Sequence, residues 1–399
     1  MSPLSARLSL GFASVGHTYS HLFQPIFYVT VLSLEGELGL SHGEVVVLII
    51  AGNLLFGFAA PLAGWLGDRW SSIGMMAVFF LGTGAGMVMT GLASTPFGIA
   101  LGLAVTGLLA SIYHPVGIAW LVRNSIKTGT ALGINGLFGG LGPALAAVMT
   151  GALIDFSDWR AAFVVPGFVV AATGIAFTFI IARGWIVESK VDRKPALPPT
   201  SRRDIIRVFV ILCITMLCGG IIYHAIQPAL PKAFANSFQA MAGDSMFGIS
   251  VLVSLVYVVS GLMQIVGGHL ADRFPVKRVY LICYILQVPL LGVAAGLGGP
   301  ALVAIAVIMV SSNTSSLPAE NILIARYAPN QWRALVYGIK FFVAIGFASL
   351  GVILESAIYD MMGDFYWLFT ILAAIAALAV AAILLLPEET REAAPAAAE

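Results

Sequence analysis

The chain reads as a succession of long apolar runs, each ended by a short cluster of Gly, Pro or charged residues. A helix that crosses a bilayer needs about 20 mostly apolar residues. That length predicts twelve helices in the 399 residues, near 8–31, 44–66, 74–94, 97–121, 130–153, 161–183, 206–231, 247–270, 278–298, 301–325, 334–357 and 364–386. The one long polar interruption, with Lys190, Arg193, Lys194, Pro195, Pro198, Pro199, Arg202 and Arg203, divides the runs six and six. The expected organisation is an N-terminal unit over 1–183, a linker over 184–205, a C-terminal unit over 206–387 and a solvated tail over 388–399.

Polar residues inside the runs recur at a constant offset. His21-x-x-Gln24-Pro25 returns 203 residues later as His224-x-x-Gln227-Pro228, and Pro115 and Arg123 return at the same offset as Pro318 and Arg326. Ala131-Leu132 returns as Ala334-Leu335, and Gly64-x-Leu66-x-Asp68-Arg69 as Gly268-x-Leu270-x-Asp272-Arg273. Two copies running in the same direction along an apolar chain predict parallel repeats of an all-α integral membrane transporter, with its site at their interface.

Composition narrows the class further. With 59% hydrophobic and 10% charged residues, the chain lacks the polar surface of a soluble domain. A net charge of +1 gives no reason to expect nucleic acid as a partner. Cys213, Cys218 and Cys283 lie within apolar runs and offer neither a disulfide framework nor a CxxC metal site. No phosphate-binding GxxxxGK[ST] loop, nucleophile elbow or assembled catalytic constellation is present, so neither ATP-driven transport nor an enzyme is expected, and no cofactor. Arg7 is followed by a run containing His17 and His21 rather than by a cleavable leader pattern. Of the 20 Lys and Arg residues, all but Arg160, Lys232 and Lys340 fall on one side if the N-terminus is inside. Positive charge favours cytoplasmic loops, so both termini are expected in the cytoplasm of a cell with this protein in its inner membrane.

The paired loops after the second and eighth predicted helices resemble the signature loop of the major facilitator superfamily, which has this Gly-x-Leu-x-Asp-Arg form at these two places. The resemblance covers all twelve predicted spans and implies the major facilitator fold, a monomeric secondary transporter and an inner gate at Asp68, Arg69, Arg123, Asp272, Arg273 and Arg326. The first copy ends Ser71-Ser72-Ile73 in place of Gly-Arg-Arg. Gly142-Pro143 on the fifth helix is similar to the Gly-Pro motif of the antiporter branch, and with Tyr113-His114-Pro115 it resembles the fosmidomycin-resistance exporters. Val116 stands where that group carries an acidic residue.

His17, His21, Gln24 and Tyr28 lie along one face of the first helix, and that face cannot comfortably meet lipid. They are expected to line a watery cavity opposite His224 and Gln227, although histidines holding helices together statically fit the same spacing. Tyr113 and His114 on the fourth helix, Glu320 on the tenth and Lys340 on the eleventh are further polar groups within spans, where ionisable residues mark pathways. Glu355 is expected near a helix end, within reach of solvent. His17, His21, Gln24, Tyr28, Tyr113, His114, His224, Gln227 and Lys340 are thus candidate substrate-binding residues. His21, His114, His224 and Glu320 are candidate proton carriers, since imidazole titrates near physiological pH. Lys340 and the histidines favour a small polar or anionic organic solute, with Tyr223 and Phe341 among the aromatics that pack its apolar part. Coupling to protons and export are expected, with import of an organic anion as the alternative. A transition-metal transporter using the His17–His21 pair stays open, with no metal site assigned, as does a membrane receptor that moves no solute.

Overall fold

The computed structural model describes residues 3–125, 128–187, 201–242, 245–327 and 338–387, and all regular structure among them is helical. In chain order the helices are α1 (Pro3–Ser20), α2 (Phe23–Leu38), α3 (His42–Phe58), α4 (Ala60–Arg69), α5 (Ser72–Gly91), α6 (Pro96–Arg123) and α7 (Thr128–Phe156). They continue as α8 (Trp159–Ala182), α9 (Arg202–Ala242), α10 (Met246–Arg273), α11 (Val276–Ala294), α12 (Gly299–Tyr327), α13 (Gly338–Met362) and α14 (Tyr366–Leu384). Lys127, linker residues 188–200, Arg333, the Ala334-Leu335 pair and the tail over 388–399 lie outside the described residues.

Ten of these helices, α5 to α14, are long and apolar enough to cross a membrane, and α3 with α4, bent by 41°, makes an eleventh. The count among the described residues therefore falls one short of the twelve expected. The missing span is the first, which breaks at His21-Leu22 into pieces of 18 and 16 residues. Pro25 causes the break: it has no N–H for the carbonyl of His21, and its ring crowds that same carbonyl. The backbone turns instead on tighter bonds, His21 N to Thr18 O at 3.1 Å and Leu22 N to Tyr19 O at 3.2 Å.

The polar punctuation becomes helix caps. Ser41 caps α3 in a reciprocal box with Glu44, and the side chains of Ser71, Thr95, Asp158 and Ser245 each accept a backbone N–H at the start of α5, α6, α8 and α10. Between the caps, no spanning window is more than 56% buried, and the outward surface carries large apolar side chains such as Leu62, Phe97, Phe168, Ile175 and Ile265. Such a surface requires lipid. The protein is an all-helical multi-pass membrane protein.

The two ends of the bundle differ in how its first and last helices meet. At the end bearing the loops at 39–41, 157–158 and 363–365, here the loop-38 end, the buried cluster around Ile226, Leu230, Val253 and Val256 also takes in Val29 of α2 and Ala144 and Ala147 of α7. A second cluster built on α2 and α3 takes in Val352 of α13. At the opposite end, bearing the loop at 70–71, the clusters separate. One is drawn entirely from residues between Leu8 and Ile186, around Phe79, Phe80 and Trp120, and the other entirely from residues between Val208 and Leu386, around Tyr280, Tyr284 and Ile383.

Polar contacts repeat the asymmetry. At the loop-38 end Asp155 of α7 accepts the N–H groups of Met246 and Phe247 at 2.8 and 3.0 Å and the Ser245 hydroxyl at 2.8 Å. Asp360 of α13 accepts Ser41 Oγ at 2.7 Å and Gly43 N at 2.9 Å, while Lys232 of α9 pairs with Glu35 of α2. Closer to the centre, α7 and α10 touch backbone to backbone. A Cβ added at Gly140 would stand 3.2 Å from Gly261 Cα, and one at Gly261 would stand 3.0 Å from Gly140 O.

Gly140→Leu should therefore force α7 from α10 and cost about 1–3 kcal/mol by overpacking, whereas Gly133→Leu, with open space around its Cβ, should cost little. A thermal-unfolding series in detergent checks this: equal midpoints for the two variants would refute the close approach.

Candidate functional site

The polar residues of the first span separate into two groups at the Pro25 break. Beyond it, toward the loop-38 end, Gln24 donates to Asn53 Oδ1 at 2.8 Å, and Asn53 Nδ2 donates to the Tyr28 hydroxyl at 3.1 Å. All three are at most 3% exposed. Gln24 and Tyr28, expected on a wet face, are thus held in a closed amide and hydroxyl chain by a residue the spacing did not single out. Asn53 was visible only as a lone amide within an apolar run.

Before the break, His17 and His21 keep partial exposure. Their rings lie 5.2 Å apart, and the ring of His114 lies 5.4 Å from His17 and 5.1 Å from His21. The backbone that carries His114 is a π-turn over Tyr113–Gly117, with Pro115 inside it, a distortion that frequently marks functional positions. Tyr113 stacks on His17 at 5.0 Å, donates to Ala13 O at 2.7 Å and accepts from Asn135 Nδ2 at 2.7 Å. His17 Nδ1 lies 2.8 Å from Asn135 O, and Thr18 donates to Phe138 O at 2.9 Å. Helix α7 can come this close only because position 139 is glycine, where a Cβ would overlap the His17 ring.

Helices α9, α12 and α13 complete the centre. Lys340 Nζ lies 2.9 Å from Glu320 Oε1 and donates to Asn321 Oδ1 at 2.5 Å, while Tyr280 donates to Glu320 Oε2 at 3.1 Å. The Lys340–Oε1 contact is an ion pair off the hydrogen-bond direction, which leaves Oε1 without a directed donor. Both charges are buried, Glu320 at 2% and Lys340 at 7% exposure. Phe341, next along α13, stacks on His114 with rings 5.0 Å apart. His114 Nε2, His224 Nδ1 and Gln227 Oε1 are buried with no hydrogen-bond partner among the described residues. Of the nine candidate substrate-binding residues, His17, His21, Tyr113, His114 and Lys340 therefore come together here, while Gln24 and Tyr28 sit in a closed polar chain beyond the Pro25 break.

The candidate gate residues are spread along the opposite end. Asp68 pairs with Arg123 at 3.5 Å, and Arg123 also reaches Ser72, one of the residues that replace the usual Gly-Arg-Arg ending. Arg69, Asp272, Arg273 and Arg326 are exposed. Residues that bridge the first and last helices lie elsewhere, at the loop-38 end, where His42 joins Glu35 at 2.7 Å and Glu355 at 2.9 Å. Glu355 is not reached by solvent as the sequence suggested: it is fully buried, because His42 covers it. His42 was missed because its neighbours Ser41, Gly43 and Glu44 read as a loop, and nothing local announces a partner more than 300 residues away.

Comparison with known proteins was made against this geometry. A family model described as Major Facilitator Superfamily matches twice, over residues 13–241 and 208–399. The chain belongs to the major facilitator superfamily. Among curated relatives it is 29% identical over 137 residues to Puromycin resistance protein pur8 of Streptomyces alboniger, covering 33% of this chain and 27% of that protein. It is 23% identical to Putative multidrug resistance protein MdtD of Salmonella typhimurium, over 47% of this chain and 40% of that protein, so both matches span less than half of the relative's length. It is 22% identical to Fosmidomycin resistance protein of Escherichia coli, over 73% of this chain and 71% of that protein. In three dimensions it is similar to a bacterial homolog of the human lysosomal transporter Spinster, solved inward-facing and unoccupied, with TM-score 0.68, 15% identity and coverage of 97% of this chain and 95% of that one.

In this superfamily member, Asn53→Leu should leave the Gln24 amide buried without a partner at a cost of about 1–3 kcal/mol. The triple variant Gln24→Leu/Asn53→Leu/Tyr28→Phe, which removes the polar chain altogether, should unfold at a higher temperature than Asn53→Leu alone. The reverse order in a thermal melt would show that the three groups do not form one network.

Proposed function

We propose that this protein exports a small polar or anionic organic solute across a cell inner membrane by proton-coupled alternating access. Its twelve spans form two parallel six-helix units, 1–183 and 206–387, with a cytoplasmic linker over 184–205 and a cytoplasmic tail over 388–399. In this reading α1 and α2 are one span broken at Pro25, both termini are cytoplasmic, and the loop-38 end is the outer end. Cation placement supports that orientation: Arg69, Arg123, Arg183, Arg273, Lys277, Arg278 and Arg326 flank the other end, against Arg160 and Lys232 at the loop-38 end.

The observation that carries the reading is the buried Glu320–Lys340 pair close to the imidazoles of α1 and α6, with Phe341 beside Lys340 stacked on His114. A buried ion pair is a poor stabiliser of a fold and a good holder of two states. Release of the cargo outside would be coupled to uptake of a proton by this centre, and binding of the next cargo inside to loss of that proton, with Glu320 and the imidazoles as carriers and Lys340 meeting the charge of an anionic cargo. His17, His21, Tyr113, His114, His224, Gln227 and Lys340 would contact the solute, with Gln24 and Tyr28 forming the outer wall through Asn53. Asp68, Arg69, Arg123, Asp272, Arg273 and Arg326 would close the inner end when the outer contacts open. The resistance proteins among the relatives favour export over import.

The test is a panel of antibacterial compounds applied to a drug-hypersensitive bacterial host. Expression should raise the inhibitory concentration of at least one anionic compound several-fold, and inside-acid inverted vesicles should accumulate that compound. Glu320→Gln should abolish accumulation driven by the proton gradient while exchange of labelled for unlabelled compound persists. Lys340→Ala should weaken transport of an anionic compound more than of a neutral one. Accumulation that ignores the pH gradient would reject proton coupling, and equal effects of Lys340→Ala on both compounds would reject direct charge recognition.

A further inference from the structure

His17, His21 and His114 each present a ring nitrogen within 4.8 Å of the other two. Two facts about these rings separate them from ordinary core histidines. The partner of His17 Nδ1, at 2.8 Å, is the carbonyl oxygen of Asn135, which can only accept. The proton therefore sits on Nδ1, and Nε2 keeps its lone pair. A backbone carbonyl fixing the distal ring nitrogen in this way is the usual outer support of a metal-bound imidazole. His114 Nε2, in a side chain more than nine-tenths buried, has no hydrogen-bond partner among the described residues. Histidines serving only to glue helices together would have their nitrogens paired, since a buried polar atom left bare loses its hydration without return.

From this geometry we infer that the three imidazoles form a binding site for a divalent d-block cation of the zinc, cobalt or nickel type. Nitrogen-only ligation selects that class over calcium and magnesium, which take oxygen. With metal–nitrogen bonds of about 2.0–2.1 Å, the ligand nitrogens of a four-coordinate ion stand about 3.3–3.4 Å apart, so nitrogens lying within 4.8 Å of one another need close by at most about 1.4 Å, a shift within reach of small ring rotations. Partial exposure of His17 and His21 supplies an entry path. The nearest cation, Lys340, is already paired with Glu320 at 2.9 Å and repels an incoming metal less than a free ammonium would. Three neutral ligands leave a coordination position for water or an anion.

The site can be tested without any transport assay. Full-length protein in nanodiscs, freed of any affinity tag, is titrated with Co²⁺ and followed by optical absorption, then with Zn²⁺ in competition. Wild-type protein should bind about one equivalent and give the intense d–d bands of a four-coordinate nitrogen site. His17→Ala, His21→Ala and His114→Ala should each weaken binding about ten-fold or more, and His269→Ala, an exposed histidine far along α10, should bind as wild type. Absence of Co²⁺ and Zn²⁺ binding above empty nanodiscs, a weak six-coordinate spectrum, or unchanged binding in the three variants would each overturn the site. The spectrum of the wild type decides the matter even where a variant fails to fold. Failure here leaves solute export untouched, because vesicles treated with a chelator would still accumulate the organic compound.

Discussion

A polar group carried into an apolar bundle must find a partner or reach water, because leaving it bare costs several kcal/mol. That constraint sorts the interior of this protein. Toward the loop-38 end Gln24, Asn53 and Tyr28 close upon one another and His42 holds one oxygen of Glu355, while Glu355 Oε2 and Ser250 Oγ stay bare. Elsewhere His114, His224 and Gln227 keep buried atoms without partners among the described residues, and His17 and His21 are partly open.

At the loop-38 end the apolar clusters that join the early and late helices are supplemented by a few discrete polar contacts. Asp155 gathers the first N–H groups of α10, Asp360 holds Ser41 and Gly43, and Glu35 joins His42 and Lys232. Most of these groups sit in exposed or half-exposed places, so water can replace each partner as the end opens, and the net cost of breaking one is about 0.5–1.5 kcal/mol. The His42–Glu355 contact differs, since Glu355 has no exposure at all. Opening must hydrate that carboxylate or hand it another partner.

Much of this could be read before any coordinates. Length and punctuation located the spans, and the charges within them pointed to Glu320 and Lys340, which the structure places 2.9 Å apart. The tris-histidine cluster was only half legible: the i, i+4 spacing paired His17 with His21, but nothing along the chain said whether His114 or His224 would stand beside them. Spacing also treated the face from His17 to Tyr28 as uniform, whereas Asn53, arriving from α3, partners its far half and leaves its near half open. The bridges at the loop-38 end were least legible. Glu35, His42, Asp155, Lys232, Glu355 and Asp360 are scattered across five helices, and each alone reads as a loop or helix-end charge. Only packing shows that they meet.

The repeated His-x-x-Gln-Pro is better understood as a backbone device than as a pair of side chains. A proline four residues after the histidine withholds the N–H that would bind the histidine's own carbonyl, and its ring crowds that oxygen. In the first copy the strain is released as an outright break at His21-Leu22, while in the second α9 passes through Pro228 without interruption. Three other interruptions fall next to polar groups of the centre: the π-turn at Tyr113–Gly117 bearing His114, the break between Ser315 and Leu317 just before Glu320, and the π-turn at Phe342–Gly346 just after Lys340 and Phe341. Each interruption loosens a carbonyl or allows a small change of helix direction where polar side chains converge. Broken backbone is tolerated inside a membrane only where protein or water can satisfy it. Interrupted helices and imidazole, carboxylate and ammonium groups therefore coincide at this level, where backbone and side chains alike need polar partners.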